Sequence, residues 1–230
     1  MSATIISFMN RKGGVGKSTL LLLTASSLHH RTGKKVLVID ADLQTSILGL
    51  RDEEKEMEQG NGSFYEIIGF SWSKKNASDI PLLRFHKLIQ QIENKYDYVL
   101  VDTPGKMEGE EVPLIMTISD FIVVPIIASS FDIQSTIDFL EIIPPIREDK
   151  IKEGFELKVF GVVNKKDRSL EHKHLEALQG IAGMELFDTH ISNLVRYKRD
   201  KSTFYDLVDP KEKEDEFNLY FNELLDKIKE

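Results

Sequence analysis

Lys12-Gly13-Gly14-Val15-Gly16-Lys17-Ser18-Thr19 decides the fold. It follows the β-rich run Thr4 to Met9 and opens a helix that starts near Lys17 and meets a natural stop at Gly33, which is the setting a phosphate-binding loop needs. Glycines let backbone N–H groups turn inward around phosphate oxygens, and the start of the following helix adds a favourable dipole. Lys17 can reach β and γ phosphates, and the Ser18 hydroxyl can ligate Mg2+. Residues Lys12 to Thr19 are therefore the candidate nucleotide cradle. The strict pattern asks for glycine five places before Gly16, and Arg11 stands there instead.

Outward from the loop, four more apolar runs recur: Lys35 to Asp40, Asp97 to Asp102, Phe121 to Ile126 and Leu157 to Val163. They are apolar nearly throughout instead of alternating, as strands of a parallel sheet covered on both faces are. The expectation is an α/β fold, a three-layer domain with a mostly parallel central sheet, and one domain over 1–230. Asp79-Ile80-Pro81 should open a helix with an acidic cap and feed the strand at Tyr98. Residues 52–78, with Gly60-Asn61-Gly62 and several aromatics, read as an excursion from the main sheet with a short helix around Phe64 to Ile68. Residues 211–230 read as a C-terminal amphipathic helix whose stripe Phe217, Tyr220, Phe221, Leu224, Leu225 and Ile228 packs on the core.

The chain has 230 residues, 41% hydrophobic and 30% charged, and no Cys. That excludes disulfides, thiolate catalysis, Fe–S clusters and Cys-ligated zinc, leaving oxygen and nitrogen ligands to do the chemistry. No basic leader and no run of membrane-spanning length are visible, so a cytoplasmic protein with no membrane partner is expected. The formal charge is −8. Residues 51–58 and 211–230 contribute −3 each, which leaves only −2 for the rest and does not speak against a local basic surface.

Two acidic stations follow strands. Val36-Leu37-Val38-Ile39-Asp40-Ala41-Asp42 and Tyr98-Val99-Leu100-Val101-Asp102 end in carboxylates, and carboxyl ends of parallel strands face the phosphate crevice, where acidic oxygens suit Mg2+. On the residues alone, one Asp of the first pair could be only a strand-end cap, and Lys12 could be a solvated cation beside the cradle.

The lysine immediately before the paired glycines makes this loop resemble the deviant Walker A of the ParA/MinD family of P-loop ATPases. The resemblance implies a P-loop NTPase fold and ATP/ADP with Mg2+. In that family the early lysine, here Lys12, reaches the nucleotide of the partner subunit, so a nucleotide-dependent homodimer becomes part of catalysis. Asp40 would support the Mg2+ shell, and Asp42 would position or activate the attacking water. Leu43 stands where the family usually has Pro. Asp102-Thr103-Pro104-Gly105 has the form of a Walker B strand and switch II, which makes Ser18, Asp40 and Asp102 the metal set. Lys12, Lys17 and Asp42 are the catalytic candidates. Asn164, after Phe160-Gly161-Val162-Val163, stands where the family places an adenine contact, although a turn former fits equally.

Among subclasses, the absence of Cys argues against the iron–sulfur branch and the acidic C-terminal helix against the membrane-directed one. No DNA-binding domain is expected ahead of a loop that begins about ten residues in. What remains resembles a small ParA-type partitioning ATPase. Such a protein implies slow, partner-stimulated hydrolysis, nonspecific DNA binding in the ATP state, association with the nucleoid and a centromere-binding adaptor protein. Arg196, Lys198 and Arg199 are the DNA-binding candidates, with Lys165, Lys166 and Arg168 a second basic group; a solvated helix face is the competing reading. The alternatives are a biosynthetic ligase of the dethiobiotin or cobyrinate amidating type and a noncatalytic scaffold using residues 52–78.

Overall fold

Strand β1 (Thr4–Phe8) lies at the centre of a sheet because both its faces meet apolar layers: Ile6 and Phe8 point into one core, Ile5 into the other. The computed structural model describes residues 2–42, 46–57, 64–105, 109–127, 130–164, 178–192, 197, 202–206 and 208–229. Its further strands are β2 (Val36–Asp40), β3 (Glu66–Gly69), β4 (Tyr98–Asp102), β5 (Phe121–Ile126), β6 (Lys158–Val163) and β7 (Glu185–Leu186). They pair in the order β3-β2-β4-β1-β5-β6-β7, and every described pair is parallel.

Helices cover both faces, as the apolar strands require. On one side α1 (Lys17–Thr32) and α7 (Glu216–Lys229) pack against Val36, Val38, Leu100 and Val123. On the other, α3 (Pro81–Ile92), α4 (Glu111–Ile118), α5 (Ser130–Leu140) and α6 (Ile143–Lys152) cover Leu37, Ile39, Val101 and Val124. Helix α2 (Ser46–Met57) places Ile47 in the first of these cores. None of the described helices is long and apolar enough to cross a membrane.

Three local expectations are corrected. Residues around Phe64 to Ile68 are not a short helix: Glu66–Gly69 is a strand, paired with Leu37–Asp40, so this part of 52–78 belongs to the sheet. The strand is short and half-buried at an edge, so neither alternation nor a long apolar run announced it. Asp79 does not cap α3; Ile80 occupies the cap, Pro81 opens the helix, and Asp79 accepts the Lys75 N–H at 2.8 Å and pairs with Arg84. The C-terminal helix starts at Glu216, later than 211, because the Asp215 carboxylate accepts the Phe217 and Asn218 N–H groups at 2.9 and 3.3 Å. Its stripe does pack inward, with Phe217, Tyr220, Phe221 and Leu224 buried. The basic candidates Arg196, Lys198 and Arg199, the group Lys165, Lys166 and Arg168, and Leu43 lie outside the described residues.

Candidate nucleotide site

Strand order turns back on either side of β1, the switch point at which open parallel sheets bind ligands beyond their carboxyl ends. Register aligns Phe8, Asp40 and Asp102 across β1, β2 and β4, so the loop leaving β1 and the two carboxylates share one rim.

The loop is shaped as its glycines permit. Gly14 and Gly16 adopt φ of 77° and 102°, and Gly16 leads directly into α1. Lys17 is buried, and its Nζ donates to Lys12 O at 3.2 Å. Burial lowers its pKa, with the Asp102 and Asp42 charges opposing. Those interactions show that Asp42, half-buried two residues past Asp40, stands near the same lysine. Gly105 comes so close to the loop that a Cβ there would lie 3.1 Å from Gly13 Cα and 3.6 Å from Lys17 Nζ. Ser18, Lys12 and Thr19 sit on the loop and first turn, as expected from the sequence.

Two buried asparagines brace the loop. Asn10 accepts the Lys12 N–H at 3.0 Å and donates to Pro125 O at 2.9 Å and to Thr136 Oγ1 at 3.2 Å, which ties the loop to β5 and α5. Sequence reasoning missed Asn10; the signal was a polar residue between an apolar strand and the first loop cation. Asn164 Nδ2 donates to Val15 O, which fixes the loop from beyond β6. Thr103 Oγ1 donates to Phe8 O at 2.8 Å and holds the segment after β4 against β1.

The carboxylates are desolvated and incompletely paired. Asp40 Oδ2 accepts the Ile47 and Leu48 N–H groups, each at 3.0 Å, and so caps α2, while Oδ1 has no hydrogen-bond partner. Burial raises its pKa, against those N–H bonds. Asp102 is pushed up to about 7, first by burial and then by Asp40 and Asp42; the nearby Ser18 hydroxyl and Lys17 pull the other way. Ser18 is thus close by, yet neither Asp102 oxygen makes a bond of good hydrogen-bonding geometry. Uncompensated buried carboxylates cost several kcal/mol each, of order ~3 or more, unless a cation meets them. Hard oxygen donors in this number, one or two carboxylates and a hydroxyl with room for phosphate, fit Mg2+. Among the described residues no group of three or more His, Asp or Glu side chains that could hold a metal ion is found.

Known proteins resemble the chain along its length. Maintenance of carboxysome distribution protein A of Synechococcus elongatus is 24% identical over 204 residues, 74% of this chain and 78% of that one. A protein of Borrelia burgdorferi B31, described as a candidate plasmid partition protein and solved with AMPPNP, superposes with a TM-score of 0.67 at 23% identity, covering 99% of this chain and 100% of its own. pNOB8 ParA, solved on nonspecific DNA, gives 0.60 at 18% identity, with 99% of both chains covered. At these identities the two structures speak for the fold. A sequence model of the CobQ/CobB/MinD/ParA nucleotide binding domain matches residues 6–204, from inside β1 to the loop beyond Tyr197. That span takes in the phosphate loop, both carboxylate stations and Asn164, and the chain belongs to the CobQ/CobB/MinD/ParA nucleotide-binding domain family.

Proposed function

We propose that this protein is an ATP-dependent dimerising switch that hydrolyses ATP slowly and partitions DNA. One observation carries the catalytic half: Lys17, Asp42 and Asp102 are close enough for their charges to act on one another, beside a loop whose glycines leave its backbone open to phosphate. Gly13, Gly14, Val15, Gly16, Ser18 and Thr19 would cradle the phosphates with N–H groups, and Lys17 would exchange its bond to Lys12 O for a phosphate oxygen. Mg2+, held by Ser18 and the oxygens of Asp40 and Asp102, would neutralise charge on the phosphates. Asp42 orients the attacking water and takes up its proton, and Lys12 adds positive charge from the partner subunit. The positioned carboxylate and lysines leave little covalent work for the protein, and catalysis rests on positioning and charge neutralisation. Asn164 Oδ1, buried and without a hydrogen-bond partner among the described residues, is the atom we assign to adenine recognition.

The partitioning half, in preference to a biosynthetic ligase or a scaffold, rests on membership of the CobQ/CobB/MinD/ParA nucleotide-binding domain family and on the relative named for maintenance of carboxysome distribution. DNA would meet the basic run at Arg196, Lys198 and Arg199. Within that stretch of sequence Tyr197 is described: it is buried, and its hydroxyl donates to Asp215 Oδ1 at 2.9 Å. A centromere-binding adaptor would stimulate hydrolysis, and the ATP form would reside on the nucleoid. The test is phosphate release with and without nonspecific DNA: activity that requires Mg2+ and falls with Lys17→Ala supports the reading, and Mg2+-independent or absent ATP hydrolysis contradicts it.

A further inference from the structure

A second concavity, a cleft of 740 Å³, lies between edge strand β3 and helix α3, within the roughly 300–1,000 Å³ usual for ligand sites. Its residues fall in the stretch 68–91 and take no part in the nucleotide chemistry. Three observations define what it fits. Among the described residues β3 pairs with β2 alone; because the Phe70 N–H donates to Asp40 O, ladder alternation turns the backbone groups of Ile67 and Gly69 away from β2. On the cleft wall, Ile80 and Leu83 remain 52% and 55% exposed, although α3 buries Phe85, Ile89 and Ile92 on its other face. Around the opening, Lys75 and Lys87 are exposed, while Arg84 is ion-paired with Asp79 and lies 5.1 Å from the Phe70 ring centre. The rim is therefore net cationic in a chain of charge −8.

We propose that this cleft receives an extended acidic segment of a partner protein, laid beside β3 as an added strand. Backbone groups of β3 would supply the ladder, Ile80 and Leu83 would take alternate apolar side chains, and Lys75 and Lys87 would meet carboxylates. A nucleic acid fits poorly, because an apolar wall faces only two unpaired-rim lysines. Of this chain's acidic stretches, residues 46–57 are helix α2, and 216–229 form α7 with its apolar face buried. Neither offers an extended strand to a second copy.

The cleft also borders the nucleotide site. Phe70 N–H is bonded to Asp40 O at 2.8 Å, and Trp72 Nε1 donates to Ala41 O at 3.2 Å, on the segment that leads to Asp42. Trp72 packs 4.8 Å from Phe70 and 4.9 Å from Phe85, and it is the chain's one tryptophan. The cleft is built from residues outside the nucleotide site, and its role is independent of whether the chain partitions DNA.

Trp72, which follows cleft-lining Ser71 and packs on cleft-lining Phe70, gives a fluorescence signal for the cleft in the full-length protein. The probe is a capped peptide of about eight residues alternating glutamate and valine, with a lysine–valine peptide as control. We expect a saturable change with the acidic peptide only, at low ionic strength, and a dissociation constant raised about tenfold by the double substitution Lys75→Glu, Lys87→Glu. Circular dichroism and ATP binding of that variant establish that it is folded. No saturable change, an equal response to both peptides, or undiminished affinity in the variant overturns the proposal. So does nucleotide-free self-association that Leu83→Glu abolishes, since the face would then belong to a second copy.

Discussion

Asp102 ends β4 with both carboxylate oxygens buried and without hydrogen bonds, beside a lysine whose own charge is disfavoured by burial. Groups left like this destabilise the fold and are kept where a ligand completes them. The same rim shows why glycine suits position 105: a Cβ there would lie 3.1 Å from Gly13 Cα, and that backbone would have to give by a few tenths of an ångström. Gly105→Ala should weaken ATP binding about tenfold by prising the two loops apart, with the thermal midpoint little changed; titration calorimetry beside a melting curve checks it. A different residue gives a pH prediction. Asp120 accepts the Ile5 N–H at 2.8 Å, and burial raises its pKa, opposed by that bond and by Lys150. The folded state thus holds this proton more tightly than the unfolded chain, so the contribution is full below the ordinary carboxylate pKa of 3.8 and is lost as pH rises through the shifted value. Asp120→Asn should remove that decline, and melting curves across the mildly acidic range will show it as a flatter profile.

Helix α2 shows how an element is held by residues that local pattern cannot reveal. Its first turn is capped by Asp40, and farther along, buried Arg51 donates to Tyr65 O at 3.0 Å and to Thr203 O at 2.7 Å, with its guanidinium 4.6 Å from the Phe204 ring centre. Glu54 on the next turn accepts the Thr203 N–H at 2.8 Å. Arg51→Met should cost about 3 kcal/mol by leaving two buried carbonyls and the Thr203 hydroxyl without their donor, measurable as a lower urea midpoint. Arg51 and Thr203 are 152 residues apart, and in the sequence Arg51 looks like the first member of a solvated charge run. The central strands were legible because both faces are buried and the apolar runs are unbroken. Strand β3 was not, because an edge strand of four half-exposed residues carries no such run. At the site, the loop, Asp40 and Asp102 could be read from motif and strand ends, whereas Asn10 could not, since its partners Pro125 and Thr136 lie more than a hundred positions away.

Across the whole molecule, the charge of −8 is concentrated in residues 51–58 and 211–230, stretches that overlap α2 and α7. An acidic protein can therefore still present a cationic surface to DNA, and pairing two copies would double it. The account joins that surface to the nucleotide: ATP should gather two chains through Lys12, and hydrolysis through Asp42 should release them. The most direct test is the mass and the retention of nonspecific DNA of the native protein and of Asp42→Ala, each with ATP, with ADP and without nucleotide. We predict dimers that retain DNA with ATP alone, persisting in Asp42→Ala while its turnover falls about a hundredfold or more. A monomer whose mass and DNA retention are the same in all three conditions would contradict the account.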